Sequence, residues 1–316
     1  MAGRTTAEDW RRILALRDHP SFLRGLALYG QLIPQYFANN LILNKVVTEA
    51  WRFEMLVYTL YLHDKRDAAD PRSGLTFANL QRICAIQKCA SRGRVFAILG
   101  LMQVGGLLRR VRAADDSRVV HLVPSDAFIE IVEGWNHRIF QIIDAIAPEG
   151  ALAARHMSEP RFGWDMRRRG AESVLSGWKL LEPFPEVEHF VSRDGGWMLL
   201  LSCVAETIRR TEGSHILPVA VDLQVFGARF GVSRSHLRRL LESAHQAGLL
   251  EAPPRNGAHI LLSHRLVASF IACMASELGN YRLWAQPSFP AGDHSPASFQ
   301  HGTELPHSDM AGLHRI

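Results

Sequence analysis

The spacing of apolar residues predicts helices along most of this chain. Apolar positions three and four residues apart indicate helices over residues 7–17, 20–32, about 41 or 48 to 63, 126–147, 197–209 and 264–278. Pro34 is expected just after the end of the second of these helices, because proline cannot continue a helix. Residues 148–196 are expected to be less regular, since prolines interrupt them.

Two stretches of the chain carry the same order of structural signals. Each has a short amphipathic helix, then a serine that can cap a second helix, and then a glycine that can end it. The capping serines, Ser91 and Ser233, are 142 residues apart, and so are the glycines, Gly106 and Gly248. The first helices are predicted from the capping residue Thr76 onward and over residues 219–230, with Gly231-Val232 as the second turn. A repeat of this length is a whole small domain.

Helical spacing assigns a buried face and an outward face to each second helix. The predicted buried stripes are Val95, Ile98, Leu99 and Met102 in the first, and Leu237, Leu240, Leu241 and Ala244 in the second. The outward face of the first helix offers almost no base-reading groups, because it consists of Gly93, Ala97, Gly100, Leu101 and Val104. That of the second is rich in donors and acceptors, namely Ser235, Arg239, Glu242 and Gln246.

Alternating residues after each second helix predict a β-hairpin. The predicted strands are 107–112 with 118–123, and 249–252 with 258–262. A helix–turn–helix followed by a hairpin is a winged helix–turn–helix. The predicted fold class is mainly α (α+β), with tandem winged helix–turn–helix modules of pseudo-two-fold symmetry, connecting helices and a disordered C-terminal tail. The expected segments are residues 1–50, 51–124 for the first module, 125–196, 197–284 for the second module, and 285–316 for the tail.

Composition narrows the class of protein. The chain has 316 residues, of which 47% are hydrophobic, so it can form packed cores and is not disordered as a whole. Its formal net charge of +5 is a mild bias toward polyanions. The start lacks the apolar core of a signal peptide, and no run is long enough for a membrane span, so a cytoplasmic location is expected.

The sequence has no signature of enzymatic chemistry. Neither a catalytic triad nor a glycine-rich phosphate loop after a strand is recognisable, and no metal site or cofactor is expected. The four cysteines fit no zinc spacing. Cys84 and Cys89 are interpreted as small buried hydrophobes, with a redox switch as the alternative. The run of arginines at 167–169 is interpreted as a solvated face, with phosphate contact as the alternative.

Double-stranded DNA is therefore the predicted partner. Arginine can read guanine, glutamine can read adenine, and arginines near a helix start suit phosphates. The candidate DNA-binding residues are Ser91, Arg92, Arg94, Arg110, Arg112, Arg118, Ser233, Arg234, Ser235, His236, Arg238, Arg239, Gln246 and Arg255. The first module is expected to grip the backbone or the minor groove through its basic hairpin, with thymine methyl contacts at best in the major groove. The alternative is that its second helix packs against another part of the protein and is only structural.

The pattern resembles the MarR-like winged-helix family of bacterial transcription regulators. The resemblance rests on Leu75 to Leu80 through Leu107 to Val111, and on Phe226 through Glu251. It implies a cytoplasmic, DNA-binding regulator that recognises near-palindromic operators and responds to a small-molecule effector. Residues 230–237 are also similar to the helix–turn–helix of the AraC family. Members of the MarR-like family usually carry one module and dimerise, whereas two modules in one chain predict a monomer that acts as a pseudo-dimer.

Two other functions remain open from the sequence. The first is a plasmid replication initiator, which also uses tandem winged helices on repeated DNA. The second is an interaction scaffold that kept the winged-helix fold without DNA binding, which the apolar second helix of the first module favours.

Overall fold

The computed structural model describes residues 11, 14–47, 49–113, 116, 118–211, 216–253 and 259–286, and these are mainly helical. The tail predicted to be disordered lies outside the described residues beyond residue 286, and so does most of the predicted helix over 7–17. The chain divides into two compact units. The central unit comprises residues 40–136, and the larger unit comprises residues 1–39 and 137–316.

The central unit contains a compact helical core and one hairpin. Its elements are α2 (Leu41–Val47), α3 (Ala50–Asp64), α4 (Phe77–Ile86), α5 (Arg92–Val104), β1 (Leu108–Arg112), β2 (Val120–Pro124) and the first part of α6 (Asp126–Ile146). β1 and β2 are antiparallel, with Arg110 opposite Leu122. Thr76 forms a further antiparallel bridge with His121, so the residue before α4 joins the edge of the hairpin. The predicted hairpin is thus confirmed. The pairing of Thr76 with its edge was not predicted from the sequence.

The larger unit is built around helix α13. Its elements are α1 (Phe22–Phe37), the rest of α6, α7 (Leu152–Ser158), α8 (Phe162–Leu175), α9 (Pro185–Val191), α10 (Gly196–Thr211), β3 (Val219–Ala220), α11 (Leu223–Phe230), α12 (Arg234–Gln246), β4 (His259–Ile260) and α13 (His264–Trp284). Nearly every residue of α13 from Phe270 onward is buried, because α8 and α9 pack against it. A helix that is apolar on all sides lies inside a core in this way. α1 packs along α10.

Three sequence predictions about the larger unit are wrong in their details. α1 does not end before Pro34 but continues through it to Phe37, since Ile33, Pro34 and Phe37 are all buried and tertiary packing offsets the missing hydrogen bond. Residues 148–196 are largely helical, because α7, α8 and α9 are short helices between the prolines. α13 extends six residues past the predicted end at Leu278.

The predicted helix over residues 219–230 is also too long at its start. Val219 and Ala220 form β3, which pairs antiparallel with Ile260 and His259 of β4. The carboxylate of Asp222 then accepts hydrogen bonds from the amides of Gln224 and Val225, so α11 begins only at Leu223.

Candidate nucleic-acid interface

In the first helix pair, α4 and α5, the second helix has the capping and burial that the sequence predicts. The hydroxyl of Ser91 accepts a hydrogen bond from the amide of Arg94, which fixes the start of α5. The buried residues of α5 are the four predicted ones, Val95, Ile98, Leu99 and Met102. The register of this helix on its core is therefore confirmed, and Gly93, Phe96, Ala97 and Val104 on the opposite side are exposed.

Two arginines at the start of α5 lie over aromatic rings. The guanidinium carbon of Arg92 is 5.8 Å from the ring centre of Phe77, and that of Arg94 is 5.3 Å from the ring centre of Trp51. Stacking on a ring orients a guanidinium while leaving its N–H groups available. Neither positioning aromatic could be foreseen from the sequence, since nothing in the spacing of Trp51 and Arg94 indicates that they meet.

The outward face of α5 is apolar and open to solvent. The side chain of Phe96 is 71% exposed and that of Val104 is 90% exposed, although Phe96 also touches the edge of Phe77 with ring centres 6.2 Å apart. A Cβ atom added to Gly93 or Gly100 would meet nothing within 4 Å. No described residue therefore covers Phe96 or Val104, whereas Gly100 and Leu101 are half-buried. The exposure of Phe96 and Val104 does not favour the alternative that α5 packs against another part of the chain.

The hairpin after α5 presents a row of arginines. Leu108 of β1 is buried, whereas the following four residues, Arg109, Arg110, Val111 and Arg112, are exposed. Arg118 lies in the turn rather than in the predicted strand, since β2 begins at Val120. Its side chain is 94% exposed and forms a loose ion pair of 3.7 Å with Asp116. The sequence-predicted arginines of the first module are thus gathered at the start of α5 and on the hairpin.

The second helix pair, α11 and α12, ends its first helix at a glycine. Gly231 has a φ of 70°, in the left-handed region that favours glycine. The amide of Val232 then donates to the carbonyl of Gly227 at 2.9 Å, which closes the helix end. A Cβ atom at Gly227 would lie 2.3 Å from the carbonyl oxygen of Val232, so only glycine lets the turn fold this tightly. Ser233 follows directly and caps α12.

The turn of the first helix pair ends its helix in the same way, but it is longer. Lys88 adopts a φ of 54°, and the amide of Cys89 donates to the carbonyl of Cys84 at 3.1 Å. One further residue, Ala90, separates this helix end from Ser91. The repeat therefore extends upstream of the two serines, with a one-residue insertion in the first copy.

Helix α12 presents a polar, mostly exposed face over its predicted core. The hydroxyl of Ser233 accepts from the amide of His236 at 3.2 Å, and the buried residues are the four predicted ones, Leu237, Leu240, Leu241 and Ala244. The exposed candidate residues are Ser233, Arg234, Ser235, Arg238, Arg239 and Gln246. His236 is half-buried, and its Nε2 has no hydrogen-bond partner among the described residues.

One ion pair lies within the polar face of α12. Arg238 donates to the carboxylate of Glu242 at 2.9 Å, one helical turn away, and both side chains are largely exposed. Arg239 makes no hydrogen bond or ion pair with any described residue. The guanidinium of Arg239 is therefore unpaired among the described residues, whereas Arg238 and Glu242 pair with each other. Arg255, the predicted contact in the second hairpin, lies outside the described residues.

The arginine run at 167–169 is engaged within the larger unit. Arg168 forms an ion pair of 3.1 Å with Glu172, and Arg169 donates to the carbonyl of Trp284 at 2.8 Å. Arg169 thus satisfies the C-terminal end of α13. The three arginines are half-buried, so the interpretation as a solvated face is wrong. The two contacts favour a structural role over the phosphate contact that the sequence left open.

The cysteine pair lies at the end of α4. Cys84 is fully buried, and a hydrogen bond with Cys89, together with burial, raises the pKa of its thiol. A thiol kept protonated is a poor nucleophile. Cys84 therefore fits the interpretation as a small buried hydrophobe.

No protein-family model, curated protein or solved structure matches this chain. Among the described residues, no helix is long and apolar enough to cross a membrane. Any assignment of function therefore rests on the two helix pairs and their exposed faces.

Proposed function

We propose that this chain is a DNA-binding transcription regulator that uses two winged helix–turn–helix modules on one duplex. The observation that carries the proposal is the face of α12, where Arg234, Ser235, Arg239 and Gln246 are exposed above a fully apolar buried stripe. Donors and acceptors in this arrangement can read base edges in a major groove. The amides at the start of the same helix suit a phosphate.

The order of elements around each helix pair supports the winged-helix interpretation. In both copies the strand position before the first helix pairs with the last strand, through Thr76 and His121 in one and through β3 and β4 in the other. In both, a hairpin contact follows the second helix, through β1 and β2 in one and through Leu250 and Leu262 in the other. This order, together with the resemblance noted from the sequence, makes a MarR-like regulator the function that we favour.

The decisive experiment measures binding of the full chain to a random-sequence duplex by fluorescence anisotropy at several salt concentrations. We expect log K to fall linearly with log salt, with a slope of about −0.9 for each phosphate neutralised. Arg112→Ala should make the slope less steep by about one phosphate. Arg209→Ala is the matched control, because Arg209 is 67% exposed but lies outside both helix pairs and their hairpins.

A second candidate is a winged-helix interaction scaffold, which the exposed apolar face of α5 favours. A scaffold of this kind does not need to bind DNA phosphates. Absence of duplex binding at low salt would therefore discard the regulator and leave the scaffold as the better explanation.

A further inference from the structure

The packing of the central unit does not explain the residue composition of the exposed face of α5. At about 100° per residue, Gly93, Phe96, Ala97, Gly100 and Val104 fall within an arc of about 100° around the helix. A glycine in a helix interior costs about 1 kcal/mol relative to alanine. A Cβ atom would fit at both glycine positions, so the packing of the central unit does not require them.

Positive charge borders this apolar face. On the same projection Arg92 and Arg94 lie on opposite sides of it, and each stacks on an aromatic ring. Arg110 and Arg112 extend the positive charge along β1, whose arginines are exposed. A partner that meets the apolar strip must therefore also carry negative charge along both borders, which fits a nucleic-acid duplex.

Only one base offers an apolar group to such a helix. In the major groove of B-DNA, guanine, cytosine and adenine present donors and acceptors, whereas thymine adds a C5-methyl group. Phe96 and Val104 are about 12 Å apart along the helix axis, which corresponds to a few base pairs. The glycines let the backbone approach the floor of the groove closely.

We propose that the face of α5 reads the methyl groups of a thymine tract, with Phe96 as the main contact and with Arg92 and Arg94 on the flanking phosphates. This inference rests on the proposed function and deepens it. It makes the first module a reader of A·T pairs through methyl contacts, while α12 reads polar base edges.

The test removes methyl groups one at a time. The probe is the duplex that the wild-type chain enriches from a random-sequence pool, resynthesised with uracil in place of thymine at single positions. Uracil keeps every hydrogen-bonding group of thymine and lacks only the methyl. We expect each contacted methyl to contribute about threefold to fivefold in affinity, as the transfer of one methylene-sized group does.

Variants of the chain assign that effect to α5. Phe96→Ala should abolish the loss of affinity on uracil substitution at two or more neighbouring positions, and it should fold normally because the side chain is mostly exposed. Met157→Ala is the matched control, since Met157 is 73% exposed in the larger unit, and it should keep the full effect. Arg239→Ala should weaken the complex and leave the dependence on methyl groups intact.

The other possible outcomes contradict either the inference about α5 or the proposed function as well. If the enriched duplex depends on Arg239 but no single uracil changes its affinity, DNA binding stands and the inference about α5 is wrong. If Phe96→Ala instead changes the molar mass of the protein in solution, the apolar face is a contact with a second copy. If no duplex is enriched, both the inference and the proposed function fall.

Discussion

At the scale of single side chains, the proposed function assigns different roles to α12 and to the hairpin of the first module. Arg239 of α12 is exposed and makes no hydrogen bond or ion pair with any described residue, whereas Arg112 of β1 belongs to a row of exposed arginines. Arg239→Ala should cost about 1–3 kcal/mol on the preferred duplex and flatten the preference at one base position. Arg112→Ala should weaken preferred and random duplexes alike, because phosphate contacts carry no sequence information.

One selection-and-sequencing experiment on the wild type and both variants measures these effects. Arg238→Ala is a useful comparison, since its guanidinium already pairs with Glu242 and its loss should matter less than that of Arg239. A relaxed sequence preference in Arg112→Ala, with an intact preference in Arg239→Ala, would assign base reading to the first module instead.

A second prediction at the residue scale concerns the core of the larger unit. Glu277 of α13 is buried and accepts a hydrogen bond from the hydroxyl of Tyr29 at 3.2 Å. Burial raises the pKa of Glu277 and the hydrogen bond from Tyr29 lowers it by a smaller amount, so that the pKa rises from 4.5 to about 7. Burial likewise raises the pKa of Tyr29 and that of the nearby Cys273, so both are neutral neighbours.

The sign of the resulting pH dependence follows from linkage. Because the folded pKa of Glu277 lies above the unfolded value, its contribution to stability is fully present below about pH 4.5 and is lost as the pH rises through about 7. Glu277→Gln should therefore gain stability relative to the wild type, by roughly 3 kcal/mol between pH 4.5 and pH 8. Urea unfolding of both proteins at several pH values measures this difference. Tyr29→Phe should enlarge the pH dependence, and a constant difference between Glu277→Gln and the wild type would refute the assignment.

At the scale of elements, the two turns require the same left-handed backbone conformation, but different residue types adopt it. Gly231 and Lys88 both occupy the left-handed region, but only Gly231 does so without a Cβ atom. Gly231→Ala should lose about 1–2 kcal/mol of stability, and Lys88→Gly should gain up to about 1 kcal/mol, since a side chain is disfavoured at positive φ. Thermal unfolding of the two variants checks this pair. If Gly231→Ala loses stability but Lys88→Gly gains none, the two turns are not equivalent in conformation.

How far the sequence determines these elements depends on the strength of the local pattern. The stripes of α5 and α12 could be predicted residue by residue, because apolar spacing and a capping serine agree at both. β3 could not, since two residues carry no periodicity and their pairing with β4 is about forty positions distant. Pro34 within α1 misled the interpretation because burial of its neighbours, a tertiary effect, outweighs a local preference.

The same reasoning separates what could be foreseen at the candidate interface from what could not. The exposure of Arg239 follows from helical spacing alone. The stacking of Arg94 on Trp51 and of Arg92 on Phe77 depends on how α3, α4 and α5 pack, so the sequence holds no short-range signal for it. The pairing of Arg238 with Glu242 was available from their spacing of four residues on one helix.

At the scale of the whole molecule, the repeat within one chain sets an expectation for the oligomeric state. Regulators with one module reach a two-part site by dimerising, whereas this chain carries both helix pairs in one polypeptide. Light scattering should therefore report a molar mass near 35.4 kDa for the free protein. The complex with the enriched duplex should contain one protein chain for each duplex. Two chains on a single duplex would mean that four helix pairs act together, and a tight homodimer without DNA would mean that the two modules do not serve as each other's partner.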